Sequence, residues 1–146
     1  MNTDLLQPAF VLHTRRYRDS SLLIDLFTHG AGRASCVARG ALKSKGGVPI
    51  VQSFQPLQVA LQGRGEVLTL RHVEESGRRL QLAGKRLFCG LYVNELVLKL
   101  TARQDPLPGL FDDYVDALAQ LASGQDMDQV LRRFEVRLLL HIGLAM

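Results

Sequence analysis

The stretch SLLIDLFTHGAGRASCVAR, residues 21–39, sets the fold class. It opens with an apolar run, SLLIDLFT (21–28), and turns through HGAG (29–32), a glycine loop of hairpin length. It continues as RASCVAR (33–39), where Ala34, Cys36 and Ala38 alternate with Arg33, Ser35, Val37 and Arg39. Period two with a polar partner face marks a half-buried antiparallel strand. The same signal recurs on both sides. Upstream, FVLHT (10–14) is apolar and β-branched. Downstream, Leu57, Val59 and Leu61 alternate with Gln58, Ala60 and Gln62; GRG (63–65) is a second glycine turn, and EVLTLRHV (66–73) completes the set. Five strands with one longer connection, at residues 40–53, fit a small closed barrel. The OB-fold is the first candidate and an SH3-like barrel the rival.

After Gly84 the period becomes helical. In KRLFCGLYVNELVLKLTA (85–102), Phe88, Tyr92, Leu96 and Leu100 form one stripe, broadened by Leu87, Leu91 and Leu98. Asp105-Pro106 and Pro108-Gly109 end it. A second helix over 110–122 puts Phe111, Tyr114, Leu118 and Leu121 on one face, with Asp112, Asp113 and Asp116 in its first turns, where the helix dipole favours acids. Asp126 caps a third, with Gln129 at the reciprocal capping-box position. Its stripe is Met127, Val130, Leu131, Phe134 and Leu138. Beyond Arg137, LLLHIGLAM is apolar nearly all round, which calls for cover on more than one side. The expectation is an α+β protein: a five-stranded barrel over 1–80, then a helical domain over 81–146 that continues in further sequence or meets a partner.

With 146 residues, 47% of them apolar, the chain has the material for a packed core, which excludes a disordered protein. It has no apolar run of membrane-spanning length, and MNTDLLQPAF lacks the basic start of a signal peptide. Both point to a soluble cytoplasmic protein. Cys36 and Cys89 belong to no CxxC or Cys/His cluster, so buried thiols are expected rather than a disulfide or a metal site. Net charge is +4 and unevenly spread: residues 1–82 carry eleven Arg/Lys against six Asp/Glu, and 83–146 seven against eight. Such asymmetry suggests a polyanion partner for the first part, the bland alternative being a basic surface that is only solvated.

No active site emerges. GALKSKGG (40–47) has Gly46 after Lys45 rather than before it, and no helix start follows, so it is not a nucleotide phosphate loop. The four histidines are scattered without metal-ligand spacing, and Ser20-Ser21 lacks a nucleophile-elbow context. No catalytic residue, metal or cofactor is expected. Binding remains. Arg15, Arg16 and Arg18 surround Tyr17 between the first two strands; guanidinium groups pair with phosphates, and an aromatic face stacks on an unpaired base. Lys43 and Lys45, approached by Arg33 and Arg39 on the polar face of the third strand, form a second basic element. Phe10, Phe27 and Phe54 are expected in the core. The partner these residues suggest is a nucleic-acid backbone, bound in a salt-sensitive and weakly sequence-selective way.

Several stretches in one order also resemble the RecO family of bacterial recombination mediators: AFVLHTR, SSLLIDLFT followed by Gly32-Arg33, VARGA (37–41), FQP (54–56), GRGEVLTLR (63–71), GLYVNELV (90–97) and LRRFEVRLLLHIG (131–143). The resemblance implies an N-terminal OB-fold, a helical domain and no enzymatic chemistry, in a cytoplasmic, nucleoid-associated protein. It implies binding of single- and double-stranded DNA, annealing of complementary strands, and help for RecR, with or without RecF, in loading RecA onto strands coated by single-strand-binding protein. Carried onto this chain, the family's basic loops fall on Arg15, Arg16, Arg39, Lys43 and Lys45. Its site for the acidic, apolar tail of single-strand-binding protein falls on the LRRFE segment, with Arg132 and Arg133 meeting a carboxylate beside Phe134 and Leu138. Two departures stand out. The loop after VARGA is less densely basic than in many relatives, and relatives continue beyond this chain's last residue, some with a cysteine-rich zinc module.

Overall fold

The computed structural model describes residues 5–18, 20–39 and 50–143. Five strands come first: β1 (Gln7–Tyr17), β2 (Ser21–Thr28), β3 (Gly32–Arg39), β4 (Leu57–Gln62) and β5 (Val67–Glu75). They close into a barrel in the order β1-β2-β3-β5-β4, with β4 returning to pair with β1. β5 inserts between β3 and β4 and runs parallel to β3, with Ser35 opposite Val67 and Val37 opposite Thr69. That strand order is the OB-fold's, and the SH3-like alternative falls.

The period-two pattern does the expected work inside. Ala34, Cys36, Ala38, Leu57, Val59 and Leu61 all point into the barrel, joined by Val11, Ile24, Leu26 and Leu68. β1 departs from the half-buried expectation. Ala9 and Val11 face inward, yet Phe10 and Leu12 on the opposite face are only 4% exposed. The ladder slips between Val11↔Leu26 and His13↔Asp25, so Leu12 is the extra residue of a β-bulge.

What covers that outer face is the helical part: α1 (Lys85–Leu100), α2 (Pro108–Ala122) and α3 (Met127–His141). Phe10, Leu12, Phe27 and Phe54 share one apolar cluster with Val93 and Val97 of α1, Phe111, Tyr114 and Leu118 of α2, and Phe134 of α3. At its centre Phe10 and Phe27 each meet both Phe111 and Tyr114, with ring centroids 5.3–6.1 Å apart and tilted or edge-on planes. Such pairs contribute about 0.5–1.5 kcal/mol beyond the area they bury.

α2 and α3 bury the faces their stripes predict. α2 starts at Pro108, so its first turn holds no acid and Asp112 and Asp113 follow one turn in. Asp126 caps α3 by accepting from the Asp128 amide. α1 is rotated from expectation. Phe88, Leu91, Tyr92 and Leu100 are exposed, Phe88 by 72%, while Gly90, Val93, Asn94 and Val97 are buried. Two local contacts set that rotation. Gly90 lies so close to Phe54 and Leu82 that a Cβ there would fall 2.6 Å from Leu82 Cδ1 and 2.8 Å from Phe54 Cζ. Asn94 Oδ1 accepts a 2.6 Å hydrogen bond from the Tyr114 hydroxyl, which burial pushes well above the usual phenol pKa.

The seam is polar at its rim. The backbone N–H of Gln104 donates to Arg33 O at 2.7 Å, and its side-chain amide donates to Gly65 O at 2.7 Å. Gly32 sits at φ 68°, where a Cβ would stand 2.2 Å from Asp105 O, so only glycine fits.

Candidate nucleic-acid interface

The basic residues collect where β1 ends, β2 begins and β3 ends. Tyr17 lies opposite Ser21, and Ser21 opposite Arg39, so one row crosses three strands. Arg16 and Arg15 follow up β1, opposite Leu22 and Leu23. Arg15, Arg16, Arg18 and Arg39 are exposed, and none of them has an ion-pair partner among the described residues. Arg18 turns the chain with a left-handed φ of 58° and lays its guanidinium 5.2 Å from the centre of the Tyr17 ring. One face of that half-buried ring is therefore taken, which leaves a stacking base the other. Lys43 and Lys45 lie outside the described residues.

Arg33 does not join this row. Its Nη2 donates to Thr101 O at 2.7 Å and its Nε to both Thr101 O and Thr101 Oγ1 at 3.2 Å. Burial first, and then the like charge of Arg103, lower its pKa, while Asp25 works the other way. Although Arg33 has the same strand parity as Arg39, it ties the barrel to the helical part and presents no free fork to a phosphate.

One cation escaped the sequence reading. Arg71 of β5 and Arg39 of β3 line a common open cleft of about 460 Å³ with Gln62, Thr69 and Leu70. The parallel register ends at Val37↔Thr69, two residues before each arginine. The signal available was the polar face of EVLTLRHV, where Thr69 and Arg71 alternate with apolar neighbours.

The helical candidates separate. Phe134 and Leu138 are 2% and 1% exposed and belong to the core against α1 and α2, so they do not form the apolar floor of a tail site. Arg133 turns towards α2, where Nη1 donates to Gln120 Oε1 at 3.0 Å. On the same side Asp113 receives Arg137 at 3.2 Å and His141 at 2.9 Å. Arg132 faces the other way, into an open cleft of about 380 Å³ that it lines with Tyr92, Asp128, Leu131 and Glu135. There the Tyr92 hydroxyl donates to Glu135 Oε2, and this hydrogen bond is the main cause raising the phenol's pKa. Exposed Phe88 sits one turn before Tyr92 on α1.

Both cysteines are free thiols; Cys36 is buried, and burial, helped by the charge of Asp25, pushes its pKa up to about 12. Among the described residues no group of three or more His, Cys, Asp or Glu is placed to hold a metal ion, and no helix is long and apolar enough to cross a membrane.

A closed five-stranded barrel docked on a three-helix domain defines an OB-fold protein with a helical domain. The family can be stated more narrowly. Residues 1–77 match the family described as Recombination protein O N terminal, and residues 81–146 match Recombination protein O C terminal. The chain is 46% identical over 138 residues to the DNA repair protein RecO of Aromatoleum aromaticum, covering 94% of this chain and 57% of that protein. It is 47% identical over 141 residues to the RecO of Burkholderia orbicola (96% and 51%) and 44% over 140 residues to that of Methylococcus capsulatus (95% and 58%). The chain belongs to the RecO family, and it spans about half the length of the curated relatives it matches.

Proposed function

We propose that this chain is the DNA-binding part of a recombination mediator in DNA repair. It takes single- and double-stranded DNA by the phosphate backbone and anneals complementary strands. With RecR, with or without RecF, it helps load RecA onto strands coated by single-strand-binding protein, and it contributes no covalent chemistry of its own. The observation that carries this reading is the group of exposed arginines at the β1–β2 turn and the end of β3, Arg15, Arg16, Arg18 and Arg39, without acidic partners among the described residues. Unpaired guanidinium groups on a barrel rim are suited to phosphate oxygens, since each contact releases condensed counterions. A salt titration of binding to a single-stranded oligonucleotide tests it. Steep dependence, with a slope that falls by about 0.7 for each neutralised contact, is the expected result. No binding at low salt would instead favour a protein-interaction module with a solvated barrel.

The acidic, apolar tail of single-strand-binding protein is assigned to the cleft between α1 and α3. Arg132 supplies the fork for a carboxylate, while Tyr92, Leu131 and exposed Phe88 supply apolar surface. Asp128 and Glu135 rim the same cleft, so the tail's acids must enter from the Arg132 side. Fluorescence anisotropy with a labelled tail peptide should show Arg132→Ala losing most of the affinity and Arg133→Ala keeping it, because Arg133 lies on the α2 side. Equal loss in both variants would place the tail elsewhere.

A further inference from the structure

We propose that Arg39 and Arg71 form a two-guanidinium clamp for one phosphodiester group, a DNA subsite on the β3–β5–β4 surface of the barrel. The proposal rests on the reading of the barrel as DNA-binding and adds to it a residue and a place. Three observations carry it.

The first is the backbone of β5. Along β4 the consecutive residues Leu61 and Ala60 oppose Leu70 and His72, so Arg71 is the extra residue of a bulge. A bulge takes one residue out of the ladder, and here that residue is a cation on an exposed surface. Without it the regular alternation after inward-packed Leu68 and Leu70 would still leave Arg71 outward, but Val73 would then lie on the wrong face; the bulge lets Val73 rejoin the barrel cluster while Arg71 stays in solvent.

The second is charge. Two guanidinium groups line one cleft whose other lining residues are Gln62, Thr69 and Leu70, with no acid among them. Of the described acids on or beside these strands, Glu74 lies against His72, Glu66 against Arg103 and Asp25 against the Ser35 hydroxyl, while Glu75, at the far end of β5, does not line the cleft. Two cations lining one cleft repel each other, and a shared phosphate removes that repulsion as it binds.

The third is chemistry and form. Each guanidinium offers a planar fork matched to two phosphate oxygens, and Gln62 and Thr69 add side-chain donors for the remaining oxygens or a sugar. The cleft is open rather than enclosed and has no aromatic side chain among its lining, so it suits a backbone and not a stacked base. With the Tyr17–Ser21–Arg39 row it makes Arg39 the common member of two groups, so a strand can be followed from β1, across β2 and β3, onto β5.

The test uses the whole chain with a fluorescent single-stranded thymidine oligonucleotide and salt as the variable. Arg71→Gln should weaken binding about fivefold at 0.1 M monovalent salt and lower the log–log salt slope by about 0.7, the value for one single-strand phosphate contact. Arg39→Gln with Arg71→Gln should lower the slope by about twice that. Arg71→Lys, which keeps the charge on an exposed side chain, should retain the slope and lose less affinity. If Arg71→Gln binds with unchanged affinity and slope while Arg15→Gln with Arg16→Gln weakens binding, the clamp is wrong and the broader reading survives. If the unaltered chain shows no salt-dependent binding, both fall. If Arg71→Lys loses as much slope as Arg71→Gln, the residue acts through the fold and not through a phosphate, which also overturns the clamp.

Discussion

At Arg33 a cation is used as a fastener. Its guanidinium reaches the carbonyl and the hydroxyl of Thr101, 68 positions along the chain, and the Thr101 hydroxyl in turn donates to Val97 O. Arg33→Ala should therefore cost stability, about 1–3 kcal/mol for hydrogen-bond partners left without a mate, and leave the salt slope of DNA binding unchanged. Denaturant titration beside the salt titration reads both; a changed slope with intact stability would return Arg33 to the DNA face. Cys36 makes a second residue-scale case. Its folded pKa of about 12 exceeds the ordinary 9.0, so the folded state holds the thiol proton more tightly than the unfolded state does. The stability this contributes is fully present below pH 9 and is lost progressively as pH rises towards 12. Buried Tyr114 adds a loss of the same sign above its ordinary 10.0, so the Cys36 part is read between pH 9 and 10. There the unaltered chain should lose stability faster than Cys36→Ala. In the native protein a thiol reagent should modify Cys89 well before Cys36, and simultaneous reaction of both would contradict the buried assignment.

Among the elements, α1 shows how a sequence pattern runs out. The strands were legible because Ala34, Cys36 and Ala38, or Leu57, Val59 and Leu61, leave only one apolar face to bury. α1 is apolar over much of its circumference, so the stripe Phe88–Tyr92–Leu96–Leu100 and the true face Gly90–Val93–Asn94–Val97 are both consistent with a helix, and periodicity alone cannot choose between them. The choice is made by Phe54 and Leu82 pressing on Gly90 and by Tyr114 reaching Asn94, neighbours invisible in a local window. A direct consequence concerns Gly90→Ala. Helix propensity favours alanine by about 1 kcal/mol, yet the added methyl would lie 2.6 Å from Leu82 and 2.8 Å from the Phe54 ring. Overpacking of this kind costs about 1–3 kcal/mol, so the net change should be destabilising, read as a lower denaturant midpoint; a stabilised variant would mean that Leu82 and Phe54 yield freely. The site was legible to a similar degree. Arg15, Arg16 and Arg39 read as exposed cations and are exposed, but Arg33 has the same pattern as Arg39 and a different fate. Phe134 and Leu138, expected as the apolar part of a tail pocket, are core residues packed with α1 and α2.

For the whole molecule the governing fact is the shared apolar cluster. Phe10, Leu12 and Phe27 belong to the barrel by chain position but pack among residues of all three helices. Barrel and helices should therefore unfold in one transition, with exposure of the Cys36 thiol inside the barrel and loss of the far-ultraviolet helix signal coinciding in denaturant. Phe27→Ala should cost about 3–5 kcal/mol and shift both signals together. Separate transitions, or a barrel signal that outlasts the helical one, would show two independent cores. Closure of the barrel has a consequence for solubility. A segment as apolar as Ser21–Thr28 would act as a template for other chains if one of its edges were open. Each of its eight residues is matched to a partner on both β1 and β3. No edge of that strand is offered to a neighbour while the barrel stays shut. Self-association through β2 must then await the opening of the barrel, so aggregation on heating should set in with the unfolding transition and not before it.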